Sequence, residues 1–236
     1  MSTCQMGRVT VASVLIVLCA GIWQEQAQSM TPGQLGVKAN AKQNTTYQEF
    51  RSFLMNAVAT PNYRVSYQAE MPDNPTTVIQ QWFKGDKFRM DTEVEGTSAR
   101  IYRLGEQVTN CVARGSNWTC FQLPNLQQVP APAVQGIQTL EEIEENPESY
   151  QNQITKIGTR VVAGEPTTCF QIKEPEEKDS LVSCYSNNHG IPLYMEGETP
   201  EGTWQMTATD FQNSVSDSAF SLPAPPQTIP SMPGGF

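Results

Sequence analysis

The segment Thr76–Leu123 constrains the fold more than any other part of this chain, because it reads as consecutive antiparallel strands joined by tight turns. Between Val78 and Phe83 the residue types fit a strand, whose successive side chains point to opposite faces. Gly85 can take the positive φ of the tight turn that follows, and Phe88 and the residues after it alternate again. The segment therefore predicts a meander of four or five strands with one mainly apolar face, which another element must cover.

Composition limits the classes of partner. The chain has 236 residues, 38% of them hydrophobic, which is enough for one domain with a core. Its formal net charge of −9 argues against nucleic acid, since phosphate binding needs clustered Lys and Arg. It argues equally against electrostatic docking on anionic membranes. We expect the negative charge to serve only to keep an exported protein soluble.

Residues 1–29 have the pattern of a signal peptide. Arg8 precedes an apolar run over residues 9–23, which is short for a membrane-spanning helix. Small residues predict cleavage after Ser29, and the protein is then exported to a periplasmic or extracellular space. The alternatives are an N-terminus retained as a membrane anchor and lipidation at Cys19.

The cysteines beyond the predicted cleavage site indicate disulfides. They are Cys111, Cys120, Cys169 and Cys184, an even set in a chain that we expect to be exported. Four cysteines allow three connectivities, and we favour Cys111–Cys120 with Cys169–Cys184 because each pair brackets one predicted hairpin. No pair has the CxxC spacing of a zinc site, and His189 is the only histidine, so we expect no metal and no cofactor.

The remaining chain divides into helical and extended segments. Residues 30–45 are polar and predict a flexible leader. Thr46 and Glu49 resemble a capping box that opens an amphipathic helix, which ends before Pro61. After a proline-containing connection, Gln138–Ile154 predicts one or two short helices.

Strands resume at Thr155, and the domain closes at Pro223. Residues 224–236 are rich in proline and predict a disordered or polyproline tail. Over residues 46–223 we therefore expect a mainly β (α+β) domain, a half-barrel. It is a single curved antiparallel sheet of about eleven strands, covered by the N-terminal helix and by a helical lid insertion.

One strand–turn–strand resembles a known family. Gln80–Thr92 is similar to the corresponding segment of LolA-type lipoprotein carriers and of their relatives, the LprG-type lipid-binding lipoproteins and the RseB-type sensors. The match rests on a tryptophan and basic residues that flank one tight turn, Trp82, Lys84 and Arg89. Val162–Gly164 and the closing Phe220–Pro223 also resemble parts of these proteins, and the resemblance spans about residues 46–223.

The resemblance implies a non-catalytic protein that holds acyl chains between the half-barrel and its lid, with an apolar ligand as its main partner. The ligand-binding candidates are Phe53, Leu54, Tyr67, Trp82, Phe88, Met90, Trp204 and Met206. Arg89 is a lid-gating candidate, which would pair with a carboxylate or carbonyl of the lid. The alternative for each apolar candidate is ordinary core packing, and for Arg89 a surface ion pair. We expect a monomer, with a membrane-associated protein as a possible binding partner.

Two other functions are alternatives to a carrier. An enzyme is disfavoured because the chain has no GxSxG, HExxH or phosphate-loop motif, and His189 lies in a turn. A sensor or protein-interaction domain can use the same fold without transferring lipid. A carrier should have an accessible cavity, whereas an interaction module should have a filled core and an exposed patch. Asn44 and Asn117 begin sequons, the second at a predicted hairpin turn.

Overall fold

The computed structural model describes residues 44–59, 62–72, 75–94, 96–123, 147–173, 180–199 and 202–228. Helix α1 (Thr45–Ala59) precedes strands β1 (Asn62–Glu70), β2 (Thr77–Lys84), β3 (Lys87–Val94), β4 (Thr97–Leu104), β5 (Gln107–Arg114) and β6 (Asn117–Leu123). A short helix, α2 (Pro147–Gln151), leads into β7 (Ile154–Val162), β8 (Glu165–Lys173), β9 (Ser180–Ser186), β10 (Pro192–Thr199) and β11 (Gly202–Gln212). A 3-10 turn (Asp217–Phe220) and strand β12 (Pro226–Thr228) follow.

All twelve strands form one sheet, in the order β12-β6-β5-β4-β3-β2-β1-β11-β10-β9-β8-β7. Strand β1 pairs with both β2 and β11, so the first and last parts of the domain meet in the middle of the sheet. Only the pairing of β12 with β6 is parallel among the described strands. This open, curved sheet with an N-terminal helix confirms the predicted half-barrel.

The prediction for the C-terminal residues was wrong in part. We expected a disordered or polyproline tail from residue 224, but Pro226–Thr228 pair with Cys120–Gln122 of β6. Proline is tolerated here because it stands first in an edge strand, where its missing N–H is not needed. The same pairing corrects the expectation that every strand is antiparallel. Residues 229–236 lie outside the described part.

The structure describes both predicted helical regions, the first as α1 and the second from Pro147 onward. The side-chain oxygen of Asn44 accepts a hydrogen bond from the Thr46 N–H at 3.0 Å, so Asn44 caps α1, whereas we expected Thr46 to do so. Within the predicted Gln138–Ile154 helical segment, α2 is helical and Ile154 already belongs to β7. The rest of the predicted lid, residues 124–146, lies outside the described residues.

The register assigns every strand residue to one of two faces, since directly opposed residues share a face. One such series runs Val65–Gln81–Met90–Ile101–Asn110–Phe121, from β1 to β6. The same face continues through Met206, Met195 and Ser183 to Phe170, on which α1 packs. We call it the inner face. The outer face carries the alternate residues, among them Trp82, Arg89, Tyr102 and Cys111.

Helix α1 is held on the β7–β9 end of the sheet by aromatic packing. Its buried Phe50 meets the ring of Phe170 at 5.3 Å and that of Tyr185 at 5.6 Å, both edge-on. A larger cluster fills the middle of the domain, around the fully buried Val65, Tyr67 and Phe88. Burying a side chain of this size stabilises the fold by about 1.5–3 kcal/mol.

Both disulfides have the connectivity that we favoured. Cys111 is bonded to Cys120, and Cys169 to Cys184. Each pair is directly opposed on neighbouring strands, so each bond staples one hairpin. In the chain-entropy model loops this short give about 2–3 kcal/mol each.

None of the helices in the described ranges is long and apolar enough to cross a membrane.

Gly190 should be among the glycines that tolerate substitution least. Its φ is +68°, and an added Cβ would lie 2.1 Å from the carbonyl oxygen of Phe53 on α1. Gly190→Ala should therefore lower the free energy of unfolding by about 2–4 kcal/mol, through backbone strain and displacement of α1. Gly85→Ala is the matched control, because its φ is +60° but no atom lies within 4 Å of the added Cβ. Urea unfolding should show a loss of about 1–2 kcal/mol for Gly85→Ala, from strain alone. Equal losses in the two variants would contradict the close packing of α1 on this turn.

Candidate functional site

Most of the predicted ligand-binding side chains belong to the packed core. Tyr67 and Phe88 are 1% and 0% exposed in the central cluster, with Met90 and Met206 packed against them. The Tyr67 hydroxyl donates a hydrogen bond to the Pro192 carbonyl at 2.7 Å, and burial raises its pKa. These side chains are on the inner face, where Tyr67 and Phe88 are buried and Met90 and Met206 are half-buried.

The other candidates lie elsewhere. Phe53 and Leu54 belong to the second cluster, between α1 and β7–β9. Trp204 is half-buried, and its indole covers Gly197, where an added Cβ would lie 2.7 Å from the ring nitrogen. Trp82 is on the outer face, because the turn at Gly85 pairs it with Arg89 and pairs Phe83 with Phe88. The eight residues are therefore spread over two buried clusters and both faces of the sheet.

An apolar surface remains on the inner face of β3–β6. We define the inner stripe as five apolar side chains of this face that are each half-buried: Met90, Ile101, Val112, Phe121 and Leu123. Helix α1 packs on β7–β9, at the other end of the sheet order. The stripe is thus an apolar surface on strands that lie in the opposite half of the sheet from those on which α1 packs.

Two amide side chains interrupt this apolar face. Gln81 is 3% exposed and lies between Val65 and Met90 in the register. Asn110 lies between Ile101 and Phe121. The buried oxygens Gln81 Oε1 and Asn110 Oδ1 have no hydrogen-bond partner among the described residues. A buried polar atom left without a partner costs about 1–3 kcal/mol, so a donor supplied there would be favourable.

On the outer face Arg89 is the centre of a network of rings and charges. Its guanidinium forms two hydrogen bonds to the Asp91 carboxylate, at 2.7 and 2.6 Å. It stacks over Trp82, with 4.4 Å from Cζ to the ring centroid, and lies 5.6 Å from the Tyr102 ring. Its Nη1 also donates to the carbonyl oxygen of Ala219 at 2.7 Å. Two-pronged pairing and ring stacking hold this guanidinium in one orientation.

These contacts bear on the lid-gating hypothesis for Arg89. The carbonyl that it binds belongs to the 3-10 turn Asp217–Phe220, not to the predicted lid, whose residues 124–146 are not described. Asp91, its carboxylate partner, is on the same strand. Within the described part of the chain, Arg89 therefore holds the C-terminal segment against the sheet.

A second arginine extends the network toward the sheet edge. Arg100 binds Asp91 at 3.0 Å and stacks over Trp118, with 4.2 Å from Cζ to the ring centroid. Arg64 flanks Trp82 on the other side, at 5.6 Å. Each cation–ring contact contributes about 0.5–2 kcal/mol. Beside Asp91 and Arg100 is an open groove of about 250 Å³, whose walls include Val78, Gln80 and Glu93.

The remaining sequence candidates, His189, Asn44 and Asn117, lie outside these two surfaces. His189 lies against Phe211, with 5.1 Å between ring centroids. In the residues that the structure describes, no three His, Cys, Asp or Glu side chains come together in a way that could hold a metal. Asn117 is exposed at the start of β6, whereas the Asn44 side chain caps α1 and donates from Nδ2 to the Gln151 carbonyl at 2.7 Å.

Sequence reasoning missed several residues of these two surfaces. Gln81 and Asn110 were not singled out, although strand alternation places each of them among apolar neighbours. Asp217 was missed because its partners Lys84 and Lys87 are 133 and 130 positions away in the chain. No local pattern could have linked them.

The Asp217 contact should give a pH dependence. Hydrogen bonds from Lys87 and Lys84, at 2.9 Å each, lower the pKa of the Asp217 carboxyl to about 2. Its stabilising effect should be complete above the unfolded pKa of about 3.9 and should be lost as the pH falls toward 2. The difference in Tm between the wild type and Asp217→Asn should therefore be constant at neutral pH, shrink as the pH falls below about 4 and disappear below pH 2. Since the carboxylate is exposed, molar salt should shrink the difference at neutral pH. A difference that is independent of both pH and salt would contradict an electrostatic anchor.

Known proteins resemble this chain in structure rather than in sequence. No family model matches the chain, and no curated protein matches it. Among solved structures, MucB is similar at a TM-score of 0.52 with 11% identity, over 75% of this chain and 62% of that one. The MucA/MucB complex of Pseudomonas aeruginosa gives a TM-score of 0.51 with 12% identity, over 74% and 61%.

An uncharacterized conserved protein from Thermus thermophilus is similar over its whole length. The TM-score is 0.51 with 8% identity, over 78% of this chain and 99% of the other. By contrast, this chain spans less than two thirds of the MucB chains. At such identities the likeness establishes the fold alone. The chain has a LolA-like half-barrel fold, as the sequence resemblance implies.

Proposed function

We propose that this chain is an exported, non-catalytic binding protein for an apolar ligand, a lipid or another molecule with an acyl chain. The ligand lies on the inner face of β3–β6, away from the strands on which α1 packs. The observation that carries the proposal is the inner stripe, together with two buried amide oxygens of the same face that have no hydrogen-bond partner among the described residues.

Apolar burial supplies the binding free energy. Each square ångström of apolar surface removed from water contributes about 25 cal/mol, so one acyl chain along the stripe would contribute several kcal/mol. The stripe crosses the strands of the sheet, from Met90 on β3 to Phe121 on β6. An extended hydrocarbon chain has the shape that such a row accepts.

The two amides suggest which ligands bind best. Gln81 and Asn110 are three strands apart, about 14 Å at the usual spacing between strands. A purely hydrocarbon chain would leave both amide oxygens without a donor. A chain that carries a hydroxyl or an amide N–H would satisfy one of them and would avoid that cost. We therefore propose a ligand whose acyl chain carries a hydrogen-bond donor.

Export is part of the proposal. Two disulfides are typical of proteins that fold in an oxidising compartment, and residues 1–29 read as a signal peptide. In this view the mature protein works in a periplasmic or extracellular space.

One observation favours a second function. The core around Tyr67 and Phe88 is filled, as expected of a sensor or protein-interaction domain. MucB, which has the same fold, has been solved in complex with MucA. This chain would then bind a protein partner and carry no lipid.

The first test compares two fatty acids of equal length, stearate and a hydroxystearate with its hydroxyl in mid-chain. The wild type should bind hydroxystearate about tenfold more tightly in calorimetry, since one hydrogen bond to a buried group is worth about 1–2 kcal/mol. Replacing both amides, with Gln81→Leu and Asn110→Leu, should abolish this preference and leave stearate binding intact.

Position-matched variants locate the ligand on the sheet. Ile101→Asp on the inner stripe should abolish binding of both fatty acids, because it puts a charge into the apolar row. Val78→Asp is the control, since Val78 is 53% exposed on the outer face and should not contact the ligand. Binding that survives Ile101→Asp, or no binding by a folded wild type, would exclude the inner-face site and leave the protein-interaction function.

A further inference from the structure

The C-terminal segment, residues 215–228, makes its polar contacts across the outer face of the sheet. The Val215 N–H donates to Asn62 Oδ1 at 3.0 Å, at the start of β1. Asp217 then binds Lys84 and Lys87 at 2.9 Å each, on either side of the β2–β3 turn. The next anchor is the Ala219 carbonyl, which accepts from Arg89. The chain thus crosses from the middle of the sheet toward its edge.

Apolar and backbone contacts complete the crossing. Leu222 and Ala224 pack on the third buried cluster, which contains Tyr102 and the Cys111–Cys120 disulfide. Strand β12 then pairs with β6 at the edge of the sheet. The segment therefore binds the outer face as an extended peptide binds a groove and a sheet edge.

The surface beneath it has the composition of a protein-binding site. Arginine, tryptophan and tyrosine are the residue types that dominate binding energy at protein interfaces, and here they are contiguous. They are Arg64, Trp82, Arg89, Arg100, Tyr102 and Trp118, connected by the stacking contacts described above. Arg89 is held by Asp91 and by two rings, so binding would not have to order it.

The segment has buried anchors at Val215 and Phe220, whereas its ion pairs and its edge strand are exposed to solvent. The Asp217 side chain is 67% exposed, so water and salt screen its two ion pairs. All three residues of β12 are exposed, and only three residue pairs join it to β6. A short edge strand of this kind gives little affinity by itself.

We propose that the outer face is a docking surface for an extended acidic and apolar segment of a partner protein, which residues 215–228 occupy in cis. The sequence of the cis segment defines the partner. Asp217 supplies a carboxylate for the two lysines, Phe220 and Leu222 follow three and five positions later, and an extended stretch reaches β6. A partner segment with this pattern displaces the C-terminal segment. The surface is distinct from the inner stripe, and neither proposal depends on the other.

The test uses the full-length chain and a fluorescent synthetic peptide with the sequence of residues 215–228. The wild type should bind this peptide weakly, because the tethered copy competes at an effective concentration of about a millimolar. Leu222→Asp weakens the cis contact and should raise the affinity for the peptide about tenfold or more, measured by fluorescence anisotropy.

Matched controls separate docking from non-specific adhesion. A peptide that carries Lys in place of Asp217 and Asp in place of Leu222 should not bind. Adding Lys84→Gln and Lys87→Gln to the Leu222→Asp chain should reduce peptide affinity again, since those lysines hold the acidic anchor. If Leu222→Asp does not fold, Asp217→Asn takes its place, with a smaller gain of about threefold.

Three results would overturn the proposal. We call Leu222→Asp, or Asp217→Asn in its place, the release variant. The first contradicting result is a folded release variant that shows no saturable binding of the peptide. The second is equal binding of the control peptide, the one with Asp217→Lys and Leu222→Asp, which would indicate non-specific adhesion. The third is a release variant that forms dimers in native mass spectrometry, which would assign the surface to exchange of C-terminal segments between two copies of the chain.

Discussion

The pairing of β1 with both β2 and β11 is the constraint on which the rest of the structure depends. It joins a meander of six strands to a second group of five, so that one continuous sheet has two continuous faces. A shift of one residue in this register would exchange the faces of one half relative to the other. Tyr67 would then lose its place in the core, and its hydroxyl could no longer reach the Pro192 carbonyl on β10.

The two faces have different covers and different chemistry. The inner face is apolar and carries α1 at the β7–β9 end, while its other end presents half-buried apolar side chains and two amides. The outer face carries arginines stacked on aromatic rings, and the C-terminal segment crosses it. Strand alternation produces this division, since Trp82 and Phe83 are neighbours in sequence and belong to different surfaces. We therefore propose that the sheet binds an apolar chain on one side and a peptide on the other.

How far the sequence predicts this structure depends on whether the signal is local. Gly85 and the alternating residues around it predicted a tight hairpin, and the even set of cysteines favoured the two disulfides that the structure has. The pattern around Trp82 and Arg89 was enough to indicate the fold. The strand at Pro226 was missed because its prolines read as irregular chain, and its pairing partner lies 106 positions away, at Cys120. Arg89 was singled out from the family resemblance, yet its partner carbonyl at Ala219 could be found only in three dimensions.

The central claim is that the inner face binds an acyl chain, and it is tested most directly by native mass spectrometry of the mature protein purified without detergent. Solvent extraction and lipid analysis of the same sample would identify what is bound. We expect a bound lipid near one molecule per chain, with a hydroxyl or amide N–H on its acyl chain, and we expect Ile101→Asp to lose it. If the folded protein has an apo mass and also takes up no fluorescent fatty acid, the inner face does not bind an acyl chain.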